Sequence, residues 1–214
     1  MEKELQKRIL SSIIIIPLSL FFIIKGSAFF MLFLIILFSI ACSEWLKMTK
    51  KIENKIFGII FLLLSFYSVF LIREKSLLDF LTVLTICIMT DIGGYVFGKI
   101  FKGPKLIKIS PNKTYAGMIG GFLLSIVASY LLVEKYGSNF LEERHTIKDL
   151  FFIFLVFLIS SVSQVGDLII SYFKRSSKIK DTGNLFPGHG GLLDRVDGMI
   201  FAFPFVYVIS KILQ

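Results

Sequence analysis

The 214-residue chain has two cysteines, Cys42 and Cys87. Both lie inside apolar runs and share no motif, which excludes a disulfide framework and leaves two small buried hydrophobes. Charge is scarce as well: Asp, Glu, Lys and Arg make up 18% of the residues against 55% hydrophobic and 15% aromatic. So few polar groups cannot cover a soluble globule of this size. Internal repeats, low-complexity tracts and long linkers are lacking, so one domain is expected. Nothing like an A-x-A cleavage site follows the first apolar run and a second run starts almost at once, which weighs against a signal peptide. Acidic residues are outnumbered 15 to 24, giving a net charge of +9. That balance would suit nucleic acid, but the cations alternate between loops as orientation in a membrane requires, and no nucleic-acid partner is expected.

What fills the sequence is apolar runs: Ile9–Ile24, Ala28–Trp45, Ile56–Ile72, Leu77–Phe97, Tyr115–Val133, Leu150–Phe173 and Leu192–Leu213. Most approach the ~20 residues that a helix needs to cross a bilayer. The expected fold is an all-α polytopic membrane helix bundle of seven transmembrane helices with its N-terminus in the cytoplasm. Residues 1–214 form a single transmembrane domain, with N-terminal spans over 1–76 and motif-bearing spans and loops over 77–214. This topology puts the Lys and Arg residues around Lys3, Lys47–Lys55, Lys99–Lys113 and Lys174–Arg195 on the cytoplasmic face. It leaves Lys25, Arg73, Lys75, Lys135, Arg144, Lys148 and Lys211 opposite, several beside acids such as Glu74, Glu142 and Glu143. His145, in the outer polar loop, reads as a solvated surface residue.

The chemistry concentrates between Ser160 and Asp197. In the sixth run Ser160, Ser163, Gln164, Asp167, Ser171 and Lys174 recur at spacings of three and four, one polar stripe along an apolar helix. Hydroxyls and amides alone would bond helix to helix. Asp167 adds a carboxylate whose insertion at mid-membrane costs about 2.5–3.5 kcal/mol and which therefore needs a cation. Asp194 and Asp197, three apart, share a helix face as the seventh run opens. Three converging carboxylates repel one another unless a hard divalent ion such as Mg²⁺ or Mn²⁺ sits among them, completed by water and phosphate. Asp194 alone could instead favour a helix dipole and pair with Arg195. Between the two runs Lys174, Arg175, Lys178 and Lys180 precede Pro187, Gly188, His189, Gly190 and Gly191, cations followed by a loop whose N–H groups can approach an anion.

A second cytoplasmic region has the same character. Thr90, Asp91, Gly93, Gly94, Tyr95 and Gly98 end the fourth run, and Ser110 to Gly117 opens the fifth. Lys113 and Thr114 beside a helix start offer phosphate a cation, a hydroxyl and helix N–H groups; an N-cap next to a topology signal is the plainer alternative. Gly117 and Gly121 suit close helix packing. Glu44 and Trp45, ending the second run, read as an interfacial anchor.

The stretch Ser171-Tyr-Phe-Lys174-Arg175, then Lys180-Asp181-Thr-Gly183, then Phe186-Pro187-Gly-His189-Gly190-Gly191-Leu-Leu-Asp194-Arg195-Val-Asp197 resembles the complete signature of the phosphatidate cytidylyltransferases, or CDP-diacylglycerol synthases. The segments DIGGYVFGKIF and SPNKTYAG are similar to that family's other recurring blocks, so the resemblance covers most of the chain from Thr90 onward. It implies a multi-pass enzyme of phospholipid synthesis in the cell (inner) membrane, facing the cytoplasm. The reaction implied is conversion of CTP and phosphatidate into CDP-diacylglycerol and pyrophosphate with Mg²⁺, in some members with a monovalent ion such as K⁺ nearby, and a homodimer is the implied assembly. The catalytic candidates are Asp167, Lys174, Arg175, Lys180, Asp181, His189, Asp194, Arg195 and Asp197, with Asp167, Asp194 and Asp197 on the metal. Substrate-binding candidates are Asp91, Ser110, Lys113, Thr114, Ser171, Gly190 and Gly191. Members of the family usually run longer, and the region between the second run and Asp91 is abbreviated here, a departure that bears on the dimer surface and the lipid entry path and not on the motif helices. A CDP-alcohol phosphotransferase would also gather aspartates, but its D-G-x-x-A-R motif is absent, since Met199 and Ile200 follow Asp197-Gly198. An ion or proton transporter would account for Asp167 and not for the Lys-Arg cluster and glycine loop.

Overall fold

A computed structural model describes residues 2–107, 110–136, 146–183 and 190–213. An apolar segment in a bilayer can satisfy its backbone N–H and C=O groups only internally, so the runs are helices. Five are long and apolar enough to cross a membrane: α2 (Ser27–Met48), α3 (Ile52–Lys75), α4 (Leu77–Phe101), α5 (Tyr115–Tyr136) and α6 (Thr146–Ser176). At 1.5 Å per residue the 22 residues of α2 reach about 33 Å, enough for the hydrocarbon core. The first and last runs give shorter apolar helices: α1 (Glu2–Lys25) is apolar over Ile15–Lys25, and the seventh run divides into a single turn, α7 (Leu193–Val196), and α8 (Met199–Ile212). The all-α expectation is met apart from one ribbon that helical periodicity does not reveal, in which β1 (Lys105–Ile107) pairs antiparallel with β2 (Ser110–Thr114), Lys105 opposite Thr114. Pro111 is tolerated there because both strands of a two-stranded ribbon are edges. Large side chains such as Phe29, Phe57, Leu63 and Phe154 remain exposed on the outside of the bundle, as a surface facing lipid requires.

Helix contacts follow from small residues and from polar groups left over by the sequence. A Cβ added at Gly93 would run into the Gly120 carbonyl, and one at Gly117 would meet the Gly94 carbonyl at 2.5 Å, so α4 and α5 touch backbone to backbone as the glycine spacing suggests. Thr90 and Ser160 share a 2.7 Å hydrogen bond and Gln164 Nε2 donates to Ser160 Oγ at 3.5 Å, tying α4 to α6. In α8, Pro204 has no N–H for the Ile200 carbonyl four residues back. Ser65 of α3 fills that gap, its hydroxyl 2.7 Å from Ile200 O. At the opposite ends of the helices the Arg73 guanidinium donates to Ile23 O and Ile24 O, both at 2.9 Å, capping α1, and Glu74 accepts from Ser27 N at 2.9 Å, opening α2.

Two apolar clusters result. One joins Phe30, Phe80, Val83, Ile86, Val156 and Phe203 across the bundle. The other joins Ala41, Trp45, Met48, Leu62, Ile170, Leu192, Leu193 and Ile200, and so sinks the start of the seventh run among α2, α3 and α6. Thermal unfolding in detergent should register Ser65→Ala as a loss of about 0.6 kcal/mol, the mean for an interhelical hydrogen bond in a membrane. Gly93→Leu, which cannot fit against Gly120, should lower the midpoint far more; an unchanged midpoint for Gly93→Leu would contradict this packing.

Candidate functional site

Asp167 stands on α6 one turn before Ser171, whose hydroxyl donates to Asp167 Oδ1 at 3.3 Å. Its other oxygen forms an ion pair with Lys113. Lys113 is aimed there by its neighbour: Thr114 Oγ1 accepts from Gly117 N at 3.1 Å and so caps α5, leaving Lys113 at the end of β2 to reach across to α6. Asp197, between α7 and α8, is buried beside the Asp167 carboxyl and within electrostatic reach of Asp91 and Lys174. Gly198 N donates to Asp197 Oδ1 at 2.9 Å. Asp91, in the C-terminal half of α4, faces Asp167, Lys113 and Arg195. Three carboxylates from three different segments therefore meet three cations, Lys113, Lys174 and Arg195, grading from the exposed Asp91 through the half-buried Asp167 to the buried Asp197.

Asp194 belongs to a different set of bonds. Its Oδ1 accepts from Lys174 Nζ at 2.7 Å, while Oδ2 accepts from Thr182 N at 2.8 Å, Thr182 Oγ1 at 3.0 Å and Gly191 N at 3.0 Å. Of the three aspartates expected to converge, the structure brings Asp167 and Asp197 together, adds Asp91, and engages Asp194 in holding the chain between α6 and α7. Lys174 links the two groups, bonded to Asp194 and facing Asp197. Arg175, Lys180 and Asp181 are exposed on the same connection, and Arg195 is exposed on α7. Gly190 adopts φ 85°, a left-handed conformation that suits glycine, with Asp181 and Asp194 close beside its Cα. Ser110 lies in β2 opposite Ile107. His189, with Pro187 and Gly188, lies outside the described residues, as does His145.

Sequence reasoning missed one functional side chain. Glu44 and Trp45 are each 5% exposed and are not an interfacial anchor. Trp45 packs against Phe173 with ring centroids 4.9 Å apart, and its Nε1 donates to Asn54 O at 3.0 Å. Glu44 accepts from Leu192 N at 2.8 Å, Leu193 N at 2.9 Å and Thr182 Oγ1 at 2.9 Å. The signal was the one that singled out Asp167, a carboxylate within an apolar run.

Neighbouring carboxyls need a positive charge between or beside them, and the oxygen donors here are hard. The donor chemistry of Asp167, Asp197 and Asp91 fits a hard divalent ion such as Mg²⁺. Among the described residues no three His, Cys, Asp or Glu side chains form a metal-holding group by themselves. Mg²⁺ commonly takes only one or two carboxylates and completes its shell with water and substrate phosphate.

Residues 56–213 match the Cytidylyltransferase family. A phosphatidate cytidylyltransferase of Rickettsia conorii is 32% identical over 208 residues, covering 95% of this chain and 90% of that protein. The chain belongs to the cytidylyltransferase family. A second such protein, from Rickettsia bellii, is 32% identical over 98% of this chain and 92% of its own length, so the compact N-terminal half is shared with relatives. The phosphatidate cytidylyltransferase of Staphylococcus haemolyticus is 37% identical over 123 residues, which cover 56% of this chain and 44% of that protein. The two carboxylate sets predict different outcomes for removal. Asp194→Ala strands the largely enclosed Lys174 ammonium and the N–H groups of Thr182 and Gly191, and should cost about 3 kcal/mol. Asp91→Ala removes a repelling charge and should stay within about 0.5 kcal/mol of the parent. Thermal melts of the two purified variants check this, and equal losses would contradict the assignment.

Proposed function

We propose that this chain transfers the cytidylyl group of CTP to phosphatidate, producing CDP-diacylglycerol and pyrophosphate at the cytoplasmic face of a membrane. The observation that carries this is the near-complete overlap with relatives named phosphatidate cytidylyltransferase. The cluster of Asp91, Asp167, Asp197, Lys113 and Arg195 supports it as a place where phosphates and carboxylates can share cations. The basic residues between Lys99 and Lys113 and between Lys174 and Arg195 in the sequence support a cytoplasmic orientation, with the cell (inner) membrane as the location in this reading.

In this reaction a phosphatidate oxygen attacks the α-phosphorus of CTP. One P–O bond forms, the bond between the α-phosphorus and the bridging oxygen breaks, and pyrophosphate leaves with that electron pair. A phosphate monoester with a second pKa near ~6 is already largely ionised at neutral pH, so the chain need supply no strong base. Its task is to bring two anions together and to stabilise the charge gathering on the leaving group. Asp167 and Asp197, with Asp91 beside them, would hold Mg²⁺, which when bound polarises the nucleotide phosphates and offsets their charge. Lys113, paired with Asp167, and Arg195 lie where they can turn to phosphate oxygens. Lys174 keeps Asp194 in place while facing Asp197. Arg175 and Lys180 lie exposed on the same side, suited to gathering the anionic lipid headgroup.

Purified protein in detergent, given labelled CTP and phosphatidate, should release pyrophosphate and form CDP-diacylglycerol only with a divalent ion present, and EDTA should abolish turnover. Asp197→Asn should lower kcat by about 10²-fold or more. Turnover that survives EDTA would remove the metal from this proposal, and absence of any CTP consumption would remove the reaction.

A further inference from the structure

The signature connection leaves α6 at Ser176 and returns at α7, and it can present its cations and glycines to a nucleotide only if its two ends are fixed. Both ends are fixed on one side chain from outside the signature. Glu44, on α2, lies upstream of residues 56–213, the part that matches the family. Its two oxygens accept from Thr182 Oγ1 on the outgoing strand of the connection and from Leu192 N and Leu193 N on the returning one. The second carboxylate at this knot, Asp194, meets the same Thr182 hydroxyl, so a single hydrogen serves two acceptors and holds Glu44 and Asp194 against one another. Space is tight around them: a Cβ on Gly183 would come within 2.6 Å of Glu44 Oε1, and one on Gly191 would collide with Thr182 and with Glu44. The apolar cluster beneath, with Trp45, Met48, Leu192 and Leu193, keeps water from replacing these bonds.

We propose that Glu44 is a positioning residue for the cytidylyl transfer: it clamps Thr182 to Leu192 and Leu193 and so holds the signature connection, with Asp194 and Lys174, in register with the Asp167–Asp197 pair. This rests on the proposed reaction and extends it to a helix that the family signature does not reach. A glutamine keeps one acceptor oxygen and turns an amide N–H₂ toward the remaining donors, so it preserves shape while losing part of the clamp. Alanine loses all of it. Thr182→Val removes the shared hydroxyl from the opposite side.

The experiment compares the full-length parent with Glu44→Gln, Glu44→Ala and Thr182→Val, purified in detergent. Steady-state kinetics with CTP and phosphatidate are expressed per folded molecule, and limited trypsin digestion is followed at Lys178 and Lys180. Partners one step removed from a reacting site typically contribute 10–100-fold, so kcat/KM for CTP should fall about 10–100-fold in Glu44→Ala, with Glu44→Gln between it and the parent. Cleavage after Lys178 and Lys180 should quicken in the same order while the fold is retained. Parent-like kcat, KM and cleavage in Glu44→Gln and Thr182→Val would overturn the proposal, as would losses that vanish once activity is scaled to the folded fraction. If Glu44→Ala does not fold, the other two variants decide. A parent that consumes no CTP would sink the reaction instead, and the cleavage arm would still decide whether Glu44 holds the connection.

Discussion

A carboxylate inside an apolar helix bundle persists only where the protein gives it a cation or a set of N–H donors, and that constraint organises this molecule. Asp167 has Lys113, Asp194 has Lys174 together with the amides of Thr182 and Gly191, and Glu44 has the amides of Leu192 and Leu193. Each partner comes from a different segment, so satisfying the acids also assembles α2, α6, α7 and the β1–β2 ribbon around one space. The remaining imbalance lies at Asp91, Asp167 and Asp197, where three acids face one another. The fold is thus saturated with N–H donors where it must be rigid and crowds its acids where a substrate and its metal would arrive.

The helical bundle was legible because its signal is one of composition: long apolar runs leave the backbone no alternative to helix. The polar stripe on α6 was equally plain, since its spacing follows the helical repeat, and the glycine pair Gly117 and Gly121 carried its close contact in the sequence. The β1–β2 ribbon was not legible, because three residues beside a proline-containing five give no periodicity, yet it is what delivers Lys113 to Asp167. The break in the seventh run was hidden too, since Asp197 and Gly198 keep helical dihedrals even though the helix is interrupted there.

The site was legible by residue type and less so by grouping. Spacing put Asp194 and Asp197 on one helix face, but a face does not say which neighbour each side chain meets. Asp194 is turned into the connection by amides that exist only once the chain doubles back between Thr182 and Gly191. Asp91 joins the cluster through the glycine contact that draws α4 against α5, a tertiary cause that no local window contains. Glu44 read as an interfacial anchor for the same reason, as its partners lie some 140 residues away in sequence.

The central claim is that the acids have divided labour: Asp167 and Asp197, beside Asp91, face the ion and nucleotide, while Asp194 and Glu44 hold the connection. Anomalous scattering from Mn²⁺ in crystals grown with CTP measures this most directly. A single peak within ligand distance of Asp167 and Asp197, with Asp194 still bonded to Thr182 and Gly191, is the predicted result. A peak on Asp194, with its amide bonds released, would contradict it.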